Sequence, residues 1–154
     1  MVTLDRITVA APLGVVYWVA SEVERWPEFL PHYRWVKVLE RAADKTVVEM
    51  AAWRPFGWFK YPTWWVSEMR LEPERAIRYR HIRGITAGMD VEWSLEEQGD
   101  TVEVRILHRW TGPPWPLIGG AAANLVIGPI FIHGIASRTL AGVKRKAESW
   151  FAGR

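Results

Sequence analysis

The sequence of 154 residues contains no cysteine. This absence excludes disulfide bonds and thiolate metal sites, and it fits a protein of a reducing compartment. The first twelve residues, MVTLDRITVAAP, place Asp5 and Arg6 in an alternating pattern and contain no long apolar run. A signal peptide requires such a run. We therefore expect a cytoplasmic protein.

Charged residues are missing from one long segment. Trp110 to Ser137 runs 28 residues without Asp, Glu, Lys or Arg, and its part 117–136 is long enough to span a bilayer. Spanning the bilayer would, however, leave the rest of the domain without a central core element. The part is also interrupted by Gly119, Gly120, Asn124, Pro129 and His133. A buried helix is therefore the favoured interpretation.

The chain also lacks a concentrated basic stripe. Its formal net charge is +3, and only 144–146 forms a basic cluster, whereas nucleic-acid-binding domains gather cations on one face. No internal repeat, low-complexity tract or linker divides the chain. We expect no nucleic-acid partner and a single domain over residues 1–154.

Tryptophan is abundant instead. The chain has 11 tryptophans, several times the usual proportion, and this large, stiff side chain lines apolar walls well. An aromatic-rich core and a cavity for a flat apolar ligand both explain this number. Composition leaves the two explanations open.

Apolar periodicity predicts the order of the elements. In the last third, Pro129 suits the first turn of a helix, and Ile132, Ala136, Leu140 and Val143 share one face of it. The predicted helices cover 12–20, 26–31 and 129–151, and the predicted strands cover 4–10, 33–41, 46–53, 63–71, 75–83, 89–97 and 101–110, with a loop at 54–62. The order predicts an α+β fold: a seven-stranded antiparallel sheet curved around a long C-terminal helix, with two short helices after the first strand.

Alternation within the strands predicts which side chains face the helix. Three of the four histidines, His81, His108 and His133, are predicted to point inward among Trp, Tyr and Met side chains. Each one alone is typical of a core histidine with one hydrogen bond, whereas three together favour a pocket with polar spots. No two histidines have ligand spacing and no carboxylate is predicted to point inward, so we expect no metal site and no cofactor.

The sequence resembles a known family in three stretches. The run TVAAPLGVVYWVASEVERWPEFLPHYRWVKVLER, with its W-P-E-x-x-P-x-Y pattern, is similar to the START-like superfamily and within it to the polyketide cyclase/dehydrase (aromatase/cyclase) branch. The likeness continues through TWWVSEMRLEP, MDVEWSLEEQGDTVEVRILHRWTG and TLAGVKRKAESW. The resemblance implies a helix-grip fold that binds an apolar molecule, and in some members the closure of a poly-β-ketone chain into aromatic rings. Segment 112–129 stands outside the likeness as an apparent insertion, and whether it forms a lid stays open.

The resemblance also transfers roles to individual positions. It implies an aromatic lining and places Met69 where the characterised cyclases carry an inward arginine, while His81 matches a second family arginine. Acid–base work would then fall to His81, His108 and Tyr33. The complete set of expected ligand-binding residues is Trp26, Tyr33, Met50, Trp65, Met69, Tyr79, Met89, Trp93, Ile106, Trp110 and His133.

Two functions remain open from the sequence. The first is binding of a hydrophobic small molecule, which could be a lipid, an isoprenoid quinone or an aromatic polyketide. The second is a polyketide cyclase, aromatase or dehydrase that uses the histidines and Tyr33. A separate surface is also predicted on the outer face, where an aromatic patch would indicate a homodimer or a peripheral membrane contact. That patch comprises Trp35, Trp53, Phe56, Trp58 and Trp64.

Overall fold

The computed structural model describes residues 1–56, 58–111 and 129–153. Residues 112–128 lie outside these ranges. The expectation of an insertion or lid at 112–129, and most of the helix expected at 117–136, therefore concern residues that are not described. Among the described residues, no helix is both long and apolar enough to cross a bilayer. The elements are β1 (Val2–Val9), α1 (Leu13–Ser21), a 3-10 turn (Val23–Arg25), α2 (Trp26–Phe29), β2 (Tyr33–Arg41), β3 (Thr46–Phe56), β4 (Phe59–Glu72), β5 (Ala76–Gly84), β6 (Asp90–Gln98), β7 (Thr101–Arg109) and α3 (Pro129–Ala152).

The seven strands form one antiparallel sheet in the order β1-β7-β6-β5-β4-β3-β2. Short connections make β2 to β7 a meander, since chain neighbours joined by hairpins must run antiparallel. Strand β1 lies at the β7 edge of this meander. It pairs along its whole length with β7, from Val2 opposite Arg109 to Val9 opposite Val102. The predicted α+β fold is confirmed.

Helix α3 packs across the inner face of the sheet. Its predicted apolar stripe is buried, since Ile132, Ala136, Leu140, Val143 and Ala147 are each at most 4% exposed. Spacing of three and four residues places these side chains on one side of the helix. The stripe and the inward residues of the sheet form one hydrophobic core.

The β3–β4 hairpin is longer than the sequence predicted. Residues 54–62 were expected to form a loop, but β3 continues to Phe56 and β4 begins at Phe59, with Pro55 opposite Lys60. Strand β3 pairs with β2 only as far as Ala52, and β4 begins to pair with β5 only at Trp65. The hairpin therefore extends past both neighbours, where a proline's missing N–H removes no bond to a third strand.

Candidate functional site

A cavity of about 70 Å³ lies between the inner face of the sheet and α3. Strands β2 to β7 supply most of its wall, α2 and α3 supply the rest, and the connection between β5 and β6 adds two residues. The lining comprises Trp26, Tyr33, Met50, Trp65, Tyr79, His81, Thr86, Met89, Val91, Trp93, Ile106, His108, Ile132, Ile135, Ala136 and Thr139. None of these side chains is a carboxylate, a lysine or an arginine.

Aromatic rings hold one another in place along this wall. Trp26 lies 5.1 Å from Tyr33 and 5.6 Å from Trp93 between ring centroids, and Tyr33 lies 6.1 Å from Trp65. Edge-to-face and tilted pairs at such distances are the favoured arrangements of aromatic rings. The short α2 helix therefore brings Trp26 into contact with two strands that are distant in sequence.

The connection between β5 and β6 positions His81. Gly84 and Gly88 adopt φ angles of 97° and 90°, which favour glycine, and the backbone folds back so that Gly88 N donates to His81 O at 2.8 Å. Thr86 Oγ1 then lies 2.7 Å from His81 Nδ1. The His81 ring also stacks on Trp65, with 5.6 Å between centroids. One face and one nitrogen of His81 are thus fixed by protein.

Burial keeps the cavity histidines neutral. Burial, followed by the influence of His108 and Arg80, lowers the pKa of His81 to about 3. Burial lowers the pKa of His108 to about 4; although His108 is only partly buried as a whole, its Nδ1 is inaccessible to solvent. Burial also raises the pKa of Tyr33 and of Tyr79 above the ordinary phenol value. At neutral pH the wall carries uncharged imidazoles and phenols.

Three buried polar atoms of the lining have no hydrogen-bond partner among the described residues. They are Trp26 Nε1, the Tyr79 hydroxyl and His108 Nδ1. A buried polar group left unpaired costs about 1–3 kcal/mol. The cavity therefore combines a largely apolar wall with three lining residues that each carry an unpaired buried polar atom.

Most of the predicted site residues are brought together at this cavity. Its wall includes His81, His108 and Tyr33, and also eight of the eleven expected ligand-binding residues: Trp26, Tyr33, Met50, Trp65, Tyr79, Met89, Trp93 and Ile106. Met69 and Trp110 are buried at 5% and 3% exposure but do not line it. Trp110 Nε1 instead donates to Ala87 O at 3.1 Å, bracing the β5–β6 connection from behind.

The predicted inward orientation of His133 is wrong. Its side chain is 66% exposed, and its Nδ1 pairs with the buried carboxylate of Asp5 on β1. The expectation relied on Leu140, seven residues further along the same face. His133 lies at the margin of the buried stripe, just beyond the position of Leu140 around the helix axis. At this end of the helix Ile132 and Ala136 face the cavity instead.

Sequence reasoning missed His32 and Thr86. His32 is 8% exposed, and its Nε2 lies 2.9 Å from Oγ1 of Thr139, a lining residue. It precedes β2, where no alternation assigns it a face, and Thr86 lies in a turn without periodicity. Ile132 and Ala136 had a signal in the helical spacing.

Among the described residues, no group of three His, Asp or Glu side chains could hold a metal ion.

An antiparallel sheet that grips a long C-terminal helix around an apolar cavity defines the START-like, helix-grip class. A START superfamily protein from Mycobacterium smegmatis matches with a TM-score of 0.68 at 15% identity, covering 99% of this chain and 97% of its own. The Zhui aromatase/cyclase from Streptomyces sp. R1128 matches with a TM-score of 0.80 at 20% identity, covering 96% and 93%. At these identities the likeness shows the fold alone.

The sequence identifies the family within this class. The family model described as polyketide cyclase/dehydrase and lipid transport matches residues 9–129, and the chain belongs to that family. A relative from Streptomyces cyaneus, named as a candidate polyketide cyclase, is 35% identical over 101 residues, which are 64% of this chain and 64% of the relative. The chain thus spans about two thirds of that relative's length. The family resemblance expected from the sequence is confirmed, but the match extends over 112–129, which was expected to stand outside the likeness.

Proposed function

We propose that this chain binds a hydrophobic small molecule with oxygen substituents, of the aromatic polyketide type, in the cavity between the sheet and α3. The carrying observation is the set of three unpaired polar atoms, on Trp26, Tyr79 and His108, in a largely apolar wall whose other polar side chains include the paired His81, Thr86 and Thr139. Carbonyl and hydroxyl oxygens of a polyketide or a quinone would pair with them, whereas a saturated lipid chain would leave them unpaired. Membership of the family described as polyketide cyclase/dehydrase and lipid transport supports a hydrophobic ligand, and the relatives named as candidate polyketide cyclases favour the polyketide type.

Binding requires the cavity to widen. A cavity of about 70 Å³ is about half of the roughly 150 Å³ that accommodates benzene in an engineered apolar site. Met50 and Met89 lie in the wall, and methionine repacks easily because its side chain is unbranched and flexible. We infer that ring ligands enter by displacement of these side chains and of α3 relative to the sheet.

Tyr79→Phe tests the proposal with two opposite effects. Removing the unpaired hydroxyl should raise the free energy of unfolding of the free protein by about 1 kcal/mol, and should weaken binding of dihydroxyanthraquinone about tenfold. Anthracene, which has no oxygen, should bind both proteins within about twofold. Affinity is measured by quenching of tryptophan fluorescence, and stability by urea unfolding.

The matched control is Tyr61→Phe, since Tyr61 is 46% exposed on the hairpin and does not line the cavity. This substitution should change neither the affinity for dihydroxyanthraquinone nor the free energy of unfolding. Failure of the parent protein to bind dihydroxyanthraquinone, or equal affinity in Tyr79→Phe, contradicts the proposal.

A cyclase activity is the second candidate, and the fixation of His81 by Thr86 and Trp65 favours it. Ring closure needs a group that stabilises the enolate and a group that moves a proton. Histidines with pKa values of about 3 and about 4 are weak bases at neutral pH. The neutral His81 ring would therefore act mainly through its hydrogen bonds, and proton transfer would fall to His108, as a somewhat stronger base than His81, or to the Tyr33 hydroxyl as an acid.

His81→Gln separates the two candidates. For a cyclase, this variant keeps ligand affinity within about threefold while the turnover of a linear poly-β-ketone mimic falls by at least about a hundredfold. Absence of turnover in the parent protein leaves binding as the function. The control is Ser67→Ala, because Ser67 is a fully buried residue of β4 outside the lining.

A further inference from the structure

A second depression of about 360 Å³ lies beside α3 and shares no lining residue with the cavity. We call it the basic groove and define it by Pro31, His32, Trp53, Lys60, Arg138, Ala141 and Arg145. Arg138, Ala141 and Arg145 follow one another at spacings of three and four, so they form one stripe of α3. Lys60 reaches the same groove from the β3–β4 hairpin.

No carboxylate of the described residues pairs with the cations of the basic groove. Among the ion pairs of the described residues, none joins Lys60, Arg138 or Arg145 to a carboxylate, whereas Lys144 on the same helix pairs with Glu148 at 2.8 Å. Lys60 Nζ lies 4.8 Å from the Trp53 ring centroid. Like charges gathered in this way repel one another, and an anion would relieve that repulsion.

A further cation lies behind the groove. Arg54 is only 8% exposed, and it packs so closely against α3 that a Cβ on Gly134 would lie 2.5 Å from its Cζ. Burial, followed by the charge of Arg138, lowers the pKa of Arg54. Burial and the charges of Arg138 and Arg145 lower the pKa of His32 to about 4, so at neutral pH His32 is a neutral side chain in a positively charged environment.

A hydrogen bond joins a residue of the basic groove to a residue of the cavity wall. His32 lines the groove, Thr139 lines the cavity, and His32 Nε2 lies 2.9 Å from Thr139 Oγ1. The neighbouring Tyr33, whose ring centroid is 4.8 Å from that of His32, also faces the cavity. A ligand that reaches from the cavity into the groove would pass this pair.

We propose that the basic groove binds the anionic group, a carboxylate or a phosphate ester, of a ligand whose apolar rings occupy the cavity. The ligand class is therefore amphipathic, with its two parts joined past the His32–Thr139 pair. Arginine pairs bidentately with either anion. This inference rests on the proposed function for the apolar part of the ligand and adds a separate site for the charged part.

The test compares ligands that differ only in the end group. Naphthyloxyhexanoate, its alcohol naphthyloxyhexanol and the phosphate ester of that alcohol are titrated into the full chain. We expect the two anions to bind at least about fivefold more tightly than the alcohol at low salt, with a difference that shrinks as salt is added. Arg138→Gln and Arg145→Gln should each weaken binding of the anions about threefold to tenfold and leave the alcohol unchanged.

The matched control is Arg75→Gln, since Arg75 is an exposed cation in the turn between β4 and β5, at the opposite end of the sheet. It should change none of the affinities. Inorganic phosphate and acetate, titrated alone, show whether the groove holds a free anion, and competition with naphthyloxyhexanoate supports the site. Tighter binding of the phosphate ester than of the carboxylate assigns the groove to phosphate.

Equal affinity of the parent protein for the anions and the alcohol overturns the inference, and binding of the alcohol in that case leaves the proposed function intact. An equal loss in Arg75→Gln and Arg138→Gln also overturns it. If none of the three ligands binds while dihydroxyanthraquinone does, the groove and cavity do not act as one site, and the inference falls without the proposed function.

Discussion

Three histidines with lowered pKa, the buried His32 and His81 and the partly buried His108, make the folded chain sensitive to mild acid. The pKa of His81 is lowered to about 3, and those of His32 and His108 to about 4. An unfolded histidine takes up a proton near pH 6.5, so between the two values the unfolded chain binds more protons than the folded chain. Stability is therefore intact above about pH 6.5 and is lost as pH falls below it.

We expect urea midpoints to fall from pH 7 to pH 5, and His81→Gln to reduce the pH dependence. His81 contributes at most about 1.4 kcal/mol per pH unit in this window. Carboxylates with lowered pKa, such as Glu68 and Glu148, have a reference value of 4.5 and act at lower pH. Ser67→Ala, which alters the inner face without removing a titrating group, should keep the parent slope. An unchanged slope in His81→Gln contradicts this account.

Single residues show how far strand alternation reaches. The period of two placed Tyr79, His81, Trp93 and Ile106 correctly on the inner face, because a strand has only two faces and one of them must be buried. It could not place His32, which precedes a strand. It also gave no indication of the contact between Thr86 and His81, since that contact depends on a turn between two glycines with positive φ.

Among the elements, α3 depends on one glycine where it crosses the chain before β2. A Cβ on Gly142 would lie 2.1 Å from Cδ2 of Leu30, which is fully buried. Alanine normally stabilises a helix interior by about 1 kcal/mol relative to glycine, but overpacking a core costs about 1–3 kcal/mol. We expect Gly142→Ala to lower the free energy of unfolding by up to about 2 kcal/mol, measured by urea unfolding.

Gly14→Ala in α1 is the matched helical control. A Cβ there would meet only the carboxylate end of Glu74, at 3.1 Å, and this flexible side chain can move aside. Its substitution should therefore be neutral or stabilising. Equal effects of the two substitutions would show that helix propensity, rather than the contact with Leu30, decides both.

The extended hairpin illustrates what local sequence signals miss. Pro55, Gly57 and Pro62 indicated a loop, because each residue type normally interrupts a strand. Their effect depends on how many neighbours the strand has, and that number is a property of the whole sheet. Since β2 and β5 stop pairing at Ala52 and Trp65, the prolines lie in a two-stranded ribbon that tolerates them.

At the scale of the whole molecule, the sheet and α3 bury a continuous core and leave only a small cavity. The order of elements and the faces of the strands were predictable, because both follow from hydrophobic periodicity. The volume of the cavity was not, since it is a small difference between the space enclosed and the side chains that fill it. The basic groove also depends on tertiary structure, because Lys60 and Arg138 meet only when the hairpin lies beside α3.

The same hairpin presents the most exposed aromatic residues of the described chain, at the tip opposite the turn between β4 and β5. Trp58 is 94% exposed, Phe59 and Tyr61 are each 46% exposed, and the Trp58 and Phe59 rings lie 5.2 Å apart. Aromatic side chains beside a lysine are typical of contacts with a membrane interface. The basic groove shares Lys60 with this tip, so an anionic surface would complement both.

We therefore expect the chain to bind vesicles that contain phosphatidylglycerol more strongly than vesicles of phosphatidylcholine alone. Trp58→Ala should reduce the partition coefficient roughly tenfold, because the indole would no longer be buried at the interface. Phe151→Ala, at a residue 45% exposed near the end of α3, is the matched control and should have no effect. Co-sedimentation measures binding, and quenching by brominated lipids reports on Trp58. A dimer that Trp58→Ala dissociates, without vesicle binding by the parent, would assign the tip to a homodimer contact instead.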